Sequence, residues 1–174
     1  MKLFDPSVYS SRRHSLMQTM GSGVLLFPGA IEQAYNYKEN TYPFRQDSTF
    51  LYYFGISQPG LAGVIDCDNG VSILYGHDAG IEELIWMGPQ PSLSERSQQI
   101  GTEQFSSIET LGDFLKAKNI QYLPPYHADR ILFLSKLLGK SVEEIQTGHS
   151  ASLVRAVIDQ RLHKSTVELD QMDE

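Results

Sequence analysis

Apolar and polar positions divide the chain into a strand-rich first half and a more helical second half. Asp5-Pro6 reads as an N-cap acceptor followed by proline at the first helical position, so a helix opens there. Over residues 6–20 it turns Val8, Leu16, Met17 and Met20 inward and keeps Arg12 and Arg13 nearer its surface; Gly21-Ser22-Gly23 ends it. Residues 24–27 are a short buried-type strand stopped by Pro28-Gly29, and the polar residues 30–41 read as a loop. Residues 50–56 are almost continuously apolar, which predicts a second strand covered on both faces. After a turn at Gly55, Pro59 and Gly60, residues 61–66 and 71–75 form a hairpin about Asp68-Asn69-Gly70. Residues 83–87 read as a further strand, ended by Gly88-Pro89.

Helical spacing then takes over. Residues 92–100 and 108–118 read as helices, and 119–123 as a strand before Pro124-Pro125. Residues 129–138 place Ile131, Leu132, Leu134, Leu137 and Leu138 at amphipathic spacing, with Gly139 as the stop. Leu153, Val154, Val157 and Ile158 give a helix over 150–162. The pattern predicts one α/β domain with a mixed β-sheet flanked by helices. Ser165 then caps a new helix, STVELDQMDE, with Val167, Leu169 and Met172 as a partial apolar stripe. About two turns of isolated helix are marginal in water, so this helix is expected to continue in a longer protein, with the last turns frayed in this chain alone.

Composition narrows the function. Hydrophobic residues at 41% and charged ones at 20% are those of a globular domain. A net charge of −7 and a pI near 5.2 argue against nucleic acid and anionic membrane as partners. The lone Cys67 cannot form an intrachain disulfide. The N-terminus lacks a signal-peptide core and no stretch approaches ~20 apolar residues, so the chain reads as cytoplasmic.

No catalytic constellation emerges. The histidines, His14, His77, His127, His149 and His163, show no HExxH or comparable spacing. His77-Asp78 reads as a polar turn. Cys67 lies between Asp66 and Asp68, whose carboxylates oppose thiolate formation, so it reads as inert. No GxSxG, Walker loop or GxGxxG is present. Two features stand out. In YPFRQDSTFLYYF the rings at 50–54 read as core, while Tyr42 and Arg45 precede them. Arg45 either anchors the loop, through backbone carbonyls or Asp47, or contacts a ligand or partner. Trp86, the only tryptophan, either packs in the core or forms an interface or pocket wall.

RRHSLMQTM, YPFRQDSTFLYYFGISQPGLAGVID and IWMG together resemble the N-terminal domain of Xaa-Pro aminopeptidases and prolidases, which are creatinase-like metallopeptidases. The likeness is specific over residues 12–66, fair over 71–88 and weak over 90–148. It resumes in RLHKSTVELDQM, similar to the R-x-x-K-S-x-x-E-x-x-x-M passage where the family's linker enters the catalytic domain. The resemblance implies a creatinase N-terminal, ribonuclease-H-like domain over 1–162, with 163–174 beginning a pita-bread catalytic domain. It implies a parent enzyme that removes the residue ahead of proline with two divalent metals, manganese by expectation. The family's ligands, two Asp, one His and two Glu, lie in that other domain, so this chain is expected to hold no metal, cofactor or catalytic residue. In the family this domain builds a dimer or tetramer and helps wall the active site, and Trp86 matches a tryptophan that reaches a neighbour's site in some bacterial aminopeptidases P. Tyr42, Arg45 and their turn then shape the core's edge or the domain interface. The implied partners are its own catalytic domain, further copies and proline-containing peptides.

GVIDCDNGVSILYG and IWMG are as prolidase-like as aminopeptidase-like. Two further readings stay open: a metal-free pita-bread module that binds peptides or histones, and a creatinase-type amidinohydrolase. The histone-binding form predicts long acidic segments, which this sequence lacks.

Overall fold

The computed structural model describes residues 3–37, 39–102 and 104–172. Among these residues five strands form one mixed sheet in the order β4-β3-β2-β1-β5. They are β1 (Val24–Pro28), β2 (Ala62–Asp66), β3 (Val71–Gly76), β4 (Gln104–Ser107) and β5 (Ile120–Tyr122). The β1-β2 and β2-β3 pairs are antiparallel; β5 runs parallel to β1 and β4 parallel to β3. Alternation along β1 feeds both faces of the sheet. Leu25 and Phe27 join Ile65 and Leu74 beneath α1 (Pro6–Met20), α2 (Ser48–Phe54), α4 (Leu93–Gln99) and α8 (Ala151–Leu162). Val24 and Leu26 join Val64, Ile73 and Tyr122 beneath α5 (Leu111–Leu115), α6 (Ala128–Leu138) and α7 (Val142–Thr147). The central strands are apolar over most of their length because helices cover both sides. This is the expected mixed α/β architecture.

The strand expected over residues 50–56 is the helix α2. Asp47 accepts from the backbone N–H of Thr49 and Phe50, both at 2.9 Å, and Gly55 closes the helix in the left-handed region at φ 67°. Phe50, Tyr53 and Phe54 then share one buried face, the i, i+3, i+4 positions of a helix. The strand expected over 83–87 is also a helix, α3 (Ile81–Met87). The helix expected over 108–118 is a 3-10 turn at Ile108–Thr110 followed by the single-turn α5. Strand β4 and helix α7, the latter with a Ser141–Glu144 capping box, had no counterpart in the sequence reading. The final helix, α9, runs Thr166–Met172.

Arg12 and Arg13 are buried rather than near the surface. The Arg13 guanidinium donates to Ser72 Oγ, to the carbonyl of Tyr53, and to those of Ile100 and Gly101. It therefore ties α1 to α2, β3 and the end of α4. Arg12 lies over the Tyr52 ring at 4.0 Å, donates to the Tyr52 carbonyl, and pairs with Glu168 of α9 at 3.4 Å. That pair attaches the last helix to the first. Gly63 permits a further close approach, because a Cβ there would lie 2.1 Å from the Phe54 ring.

Candidate functional site

Trp86 belongs to a helix whose apolar residues face outward. α3 spans two turns between glycines: Leu84 N–H donates to Gly80 O, and Gly88 N–H to Leu84 O, both at 3.0 Å. Gly88 takes φ 73°, the left-handed conformation that ends the helix. Trp86 is 85% exposed, and Ile81, Ile85 and Met87 each exceed 70%. The core-packing option for Trp86 is thereby removed. Isolated apolar residues on a surface are ordinary, but four large ones on seven residues of one helix form a patch suited to contact.

Tyr42 and Arg45 sit on a different feature. The chain before α2 folds back on itself through an isolated bridge between Ala34 and Thr41. Tyr35 N–H donates to Asn40 O at 2.7 Å, and Tyr42 N–H to Gln33 O at 2.9 Å. This register stacks the exposed Tyr35 and Tyr42 rings, centroids 3.5 Å apart and planes 25° from parallel. Tyr42 and Arg45 line a cleft of about 210 Å³ with Ile31, Phe44, His127 and Arg130. The structure thus brings Tyr42 and Arg45 together; Trp86 does not line that cleft.

Arg45 does not anchor its loop through Asp47 or carbonyls. It is exposed, and no hydrogen bond or ion pair joins it to a described residue. Its neighbours do the anchoring. Gln46 is buried; its Oε1 accepts from Ala30 N–H and Asp47 N–H, and its Nε2 donates to Ile56 O and Gln58 O. Asp47, besides capping α2, pairs with Arg130 of α6. Sequence reading passed over Gln46 and Arg130, and the one available signal was a buried-type amide between polar residues and an aromatic run.

A second cavity, of about 270 Å³, opens at the carboxyl ends of β1 and β5. Leu26, Phe27, Leu123, Leu134 and Val157 give it apolar walls, and Asp47, Thr49, Arg130 and Arg161 carry its polar groups. Sequence reading did not foresee it, because its walls come from four separated segments.

The remaining reactive groups are quiet. Burial and the adjacent Asp68 and Asp66 push the Cys67 thiol up, away from thiolate. Asp78, following β3, accepts from Leu93 N–H, so His77-Asp78 lies in an irregular connection that steadies the start of α4. Among the described residues no three His, Cys, Asp or Glu are grouped to hold a metal ion, and no helix is long and apolar enough to cross a membrane.

The family model for the aminopeptidase P N-terminal domain matches residues 9–122. The Xaa-Pro aminopeptidase of Escherichia coli is 24% identical over 180 aligned positions, which cover 92% of this chain and 40% of that protein. The human Xaa-Pro dipeptidase is 30% identical over 75 residues, 43% of this chain and 15% of its own. Among solved structures, Pseudomonas aeruginosa aminopeptidase PepP matches with a TM-score of 0.78 at 22% identity, over 98% of this chain and 41% of that one. Aminopeptidase P from E. coli in its low-pH form matches with a TM-score of 0.75 at 20% identity, over 97% and 41%. The chain therefore spans well under half the length of these relatives.

Proposed function

The chain belongs to the aminopeptidase P N-terminal domain family, and from that premise we propose that it is the non-catalytic N-terminal part of a cytoplasmic, metal-dependent Xaa-Pro aminopeptidase. Its task is to build the oligomer and to wall an active site that other residues form. The observation that carries this reading is α3, where Ile81, Ile85, Trp86 and Met87 lie exposed on one short helix. A large apolar surface on an acidic chain calls for a partner, and a tryptophan gives much contact area with few torsions to fix. Placed over an active site, such a surface would exclude water and limit the length of the peptide admitted.

The described residues do not fit the divalent metals of the proposed reaction, since they offer no grouped ligand set. In this reading the metal chemistry belongs to the catalytic part of the longer relatives. The likeness to the human Xaa-Pro dipeptidase favours one second reading, the N-terminal domain of a prolidase.

The test uses the longer parent protein with manganese, offered an Xaa-Pro dipeptide and an Xaa-Pro-Yaa tripeptide, with release of the first residue followed. Cleavage of the tripeptide alone is expected; preference for the dipeptide selects prolidase, and cleavage of neither refutes both. Trp86→Ala in the same protein should weaken assembly, or raise KM for the tripeptide, by roughly 30-fold, the size of an interface hot spot. Unchanged assembly and kinetics would remove α3 from the proposal.

A further inference from the structure

We propose that the cavity at the carboxyl ends of β1 and β5 binds a small monocarboxylic acid with an apolar body. β1 and β5 are parallel neighbours, and the crevice beyond the carboxyl ends of such strands is where α/β sheets commonly take ligands. Leu26, Phe27 and Pro28 bring the end of β1 to this space, Leu123 follows β5, and Leu134 of α6 and Val157 of α8 also line it. The volume of about 270 Å³ lies near the lower end of ligand pockets, roughly 300–1,000 Å³, so it suits about one ring with a short chain.

The charged groups are Arg130, paired with Asp47, and Arg161, whose Nη1 donates to Thr49 Oγ1 at 3.1 Å. Two guanidiniums against one carboxylate leave the lining positive, in a chain whose net charge is −7. The Nε of Arg130 is buried and makes no hydrogen bond with a described group. A buried donor left unmet is unfavourable, so this guanidinium is not fully satisfied by Asp47 alone. One carboxylate balances the single excess charge, while the hydrocarbon walls receive the rest of the molecule. None of this depends on the peptidase reading.

Titration of the 174-residue chain with 4-phenylbutyrate, followed by amide ¹H–¹⁵N shifts, tests the assignment. Saturable shifts are expected, centred on Tyr126, Arg130, Val157 and Ile158. The neutral 4-phenylbutyramide should bind at least about tenfold more weakly, as should the acid to Arg161→Gln. Ile158→Trp, an exposed residue of the lining, should block binding with every charge intact. Equal binding of acid and amide overturns the proposal, as do shifts centred elsewhere. If dilution of the chain alone moves the same amides, a second copy fills the cavity and the proposal fails.

Discussion

Replacing Arg13 with methionine keeps an unbranched side chain of similar length and removes the guanidinium. That guanidinium is only 1% exposed and has no carboxylate partner among the described residues. Its contacts are Ser72 Oγ at 3.1 Å, Tyr53 O at 2.8 Å, Ile100 O at 2.8 Å and Gly101 O at 2.9 Å. Hydrogen bonds from a charged donor contribute ~1.5–3 kcal/mol each, so at the low end these four supply about 6 kcal/mol. Opposing them is desolvation, which pulls the Arg13 pKa from 12.5 to about 10. A drop of that size corresponds to about 3 kcal/mol. Arg13→Met removes both effects, a net loss of about 3 kcal/mol, and the three carbonyls it strands add to this, so about 3 kcal/mol is the smallest loss expected. In urea unfolding, with m of about 2 kcal/mol/M, the midpoint should fall by at least about 1.5 M at unchanged m. Arg13→Lys keeps the charge but not the planar fork, so it should also unfold earlier than the parent chain. A midpoint for Arg13→Met within about 0.3 M of the parent would refute the idea that this residue ties four elements together.

Gly63→Ala tests the contact between sheet and α2: a Cβ 2.1 Å from the Phe54 ring should destabilise by about 1–3 kcal/mol, and an unchanged urea midpoint would contradict it. Asp66 carries a pH dependence. Burial pushes its carboxyl up, but hydrogen bonds from Lys118 and Asn69 outweigh this and hold it below its ordinary value. Its stabilising share is thus present above the unfolded value, ~3.9, and is lost as pH falls through the lower folded value. Urea midpoints should therefore drop more steeply between pH ~5 and ~3 in the parent chain than in Asp66→Asn; parallel curves would show that the pairing does not matter.

What the sequence disclosed, and what it withheld, follows the range of the interactions. The hairpin of β2 and β3, the start of α1 at Asp5-Pro6 and the end of α6 at Gly139 are written in adjacent residues, and all stand where local rules put them. α2 misled because Leu51 and Tyr52 fill the gaps between Phe50, Tyr53 and Phe54, which hides a helical period inside an apolar run. Its true signals were at the ends, Asp47 and Gly55. α3, reading IEELIWM, mixes the helix formers Glu82, Glu83, Leu84 and Met87 with the strand-favouring Ile81, Ile85 and Trp86, so its composition is ambiguous and its flanking glycines mark its ends. β4, reading QFSS, is an edge strand that among the described residues pairs with β3 alone, so burial never forced an apolar pattern on it. Arg13 was unreadable because its backbone partners lie 40 to 88 residues away. Tyr42 and Arg45 could be picked out as an exposed ring and cation, but the Gln46 network behind them needed the return of residues 56–58 against residue 30.

The two candidate surfaces are held in different ways, and this separates what each can do. Around the cavity, Asp47 caps α2 and pairs with Arg130 of α6, while Thr49 of α2 holds Arg161 of α8. Three helices are thereby fixed to one another at the rim before any ligand arrives, so a small molecule binding there orders little and can bind usefully through few contacts. α3 has no such ties among the described residues. Apart from a bond from the nearby Gln90 Nε2 to the Met87 carbonyl, the hydrogen bonds shown for its described groups run along the local backbone, its four largest apolar side chains are exposed, and seven residues are too few to sustain a helix alone in water. A partner that docks on α3 must stabilise the helix as well as bind it. That added cost falls heavily on a small transient contact and lightly on a broad, permanent one. If α3 docks at all, its physics thus suits the proposed lasting interface better than a transient contact, whereas the proposed ligand of the cavity could exchange.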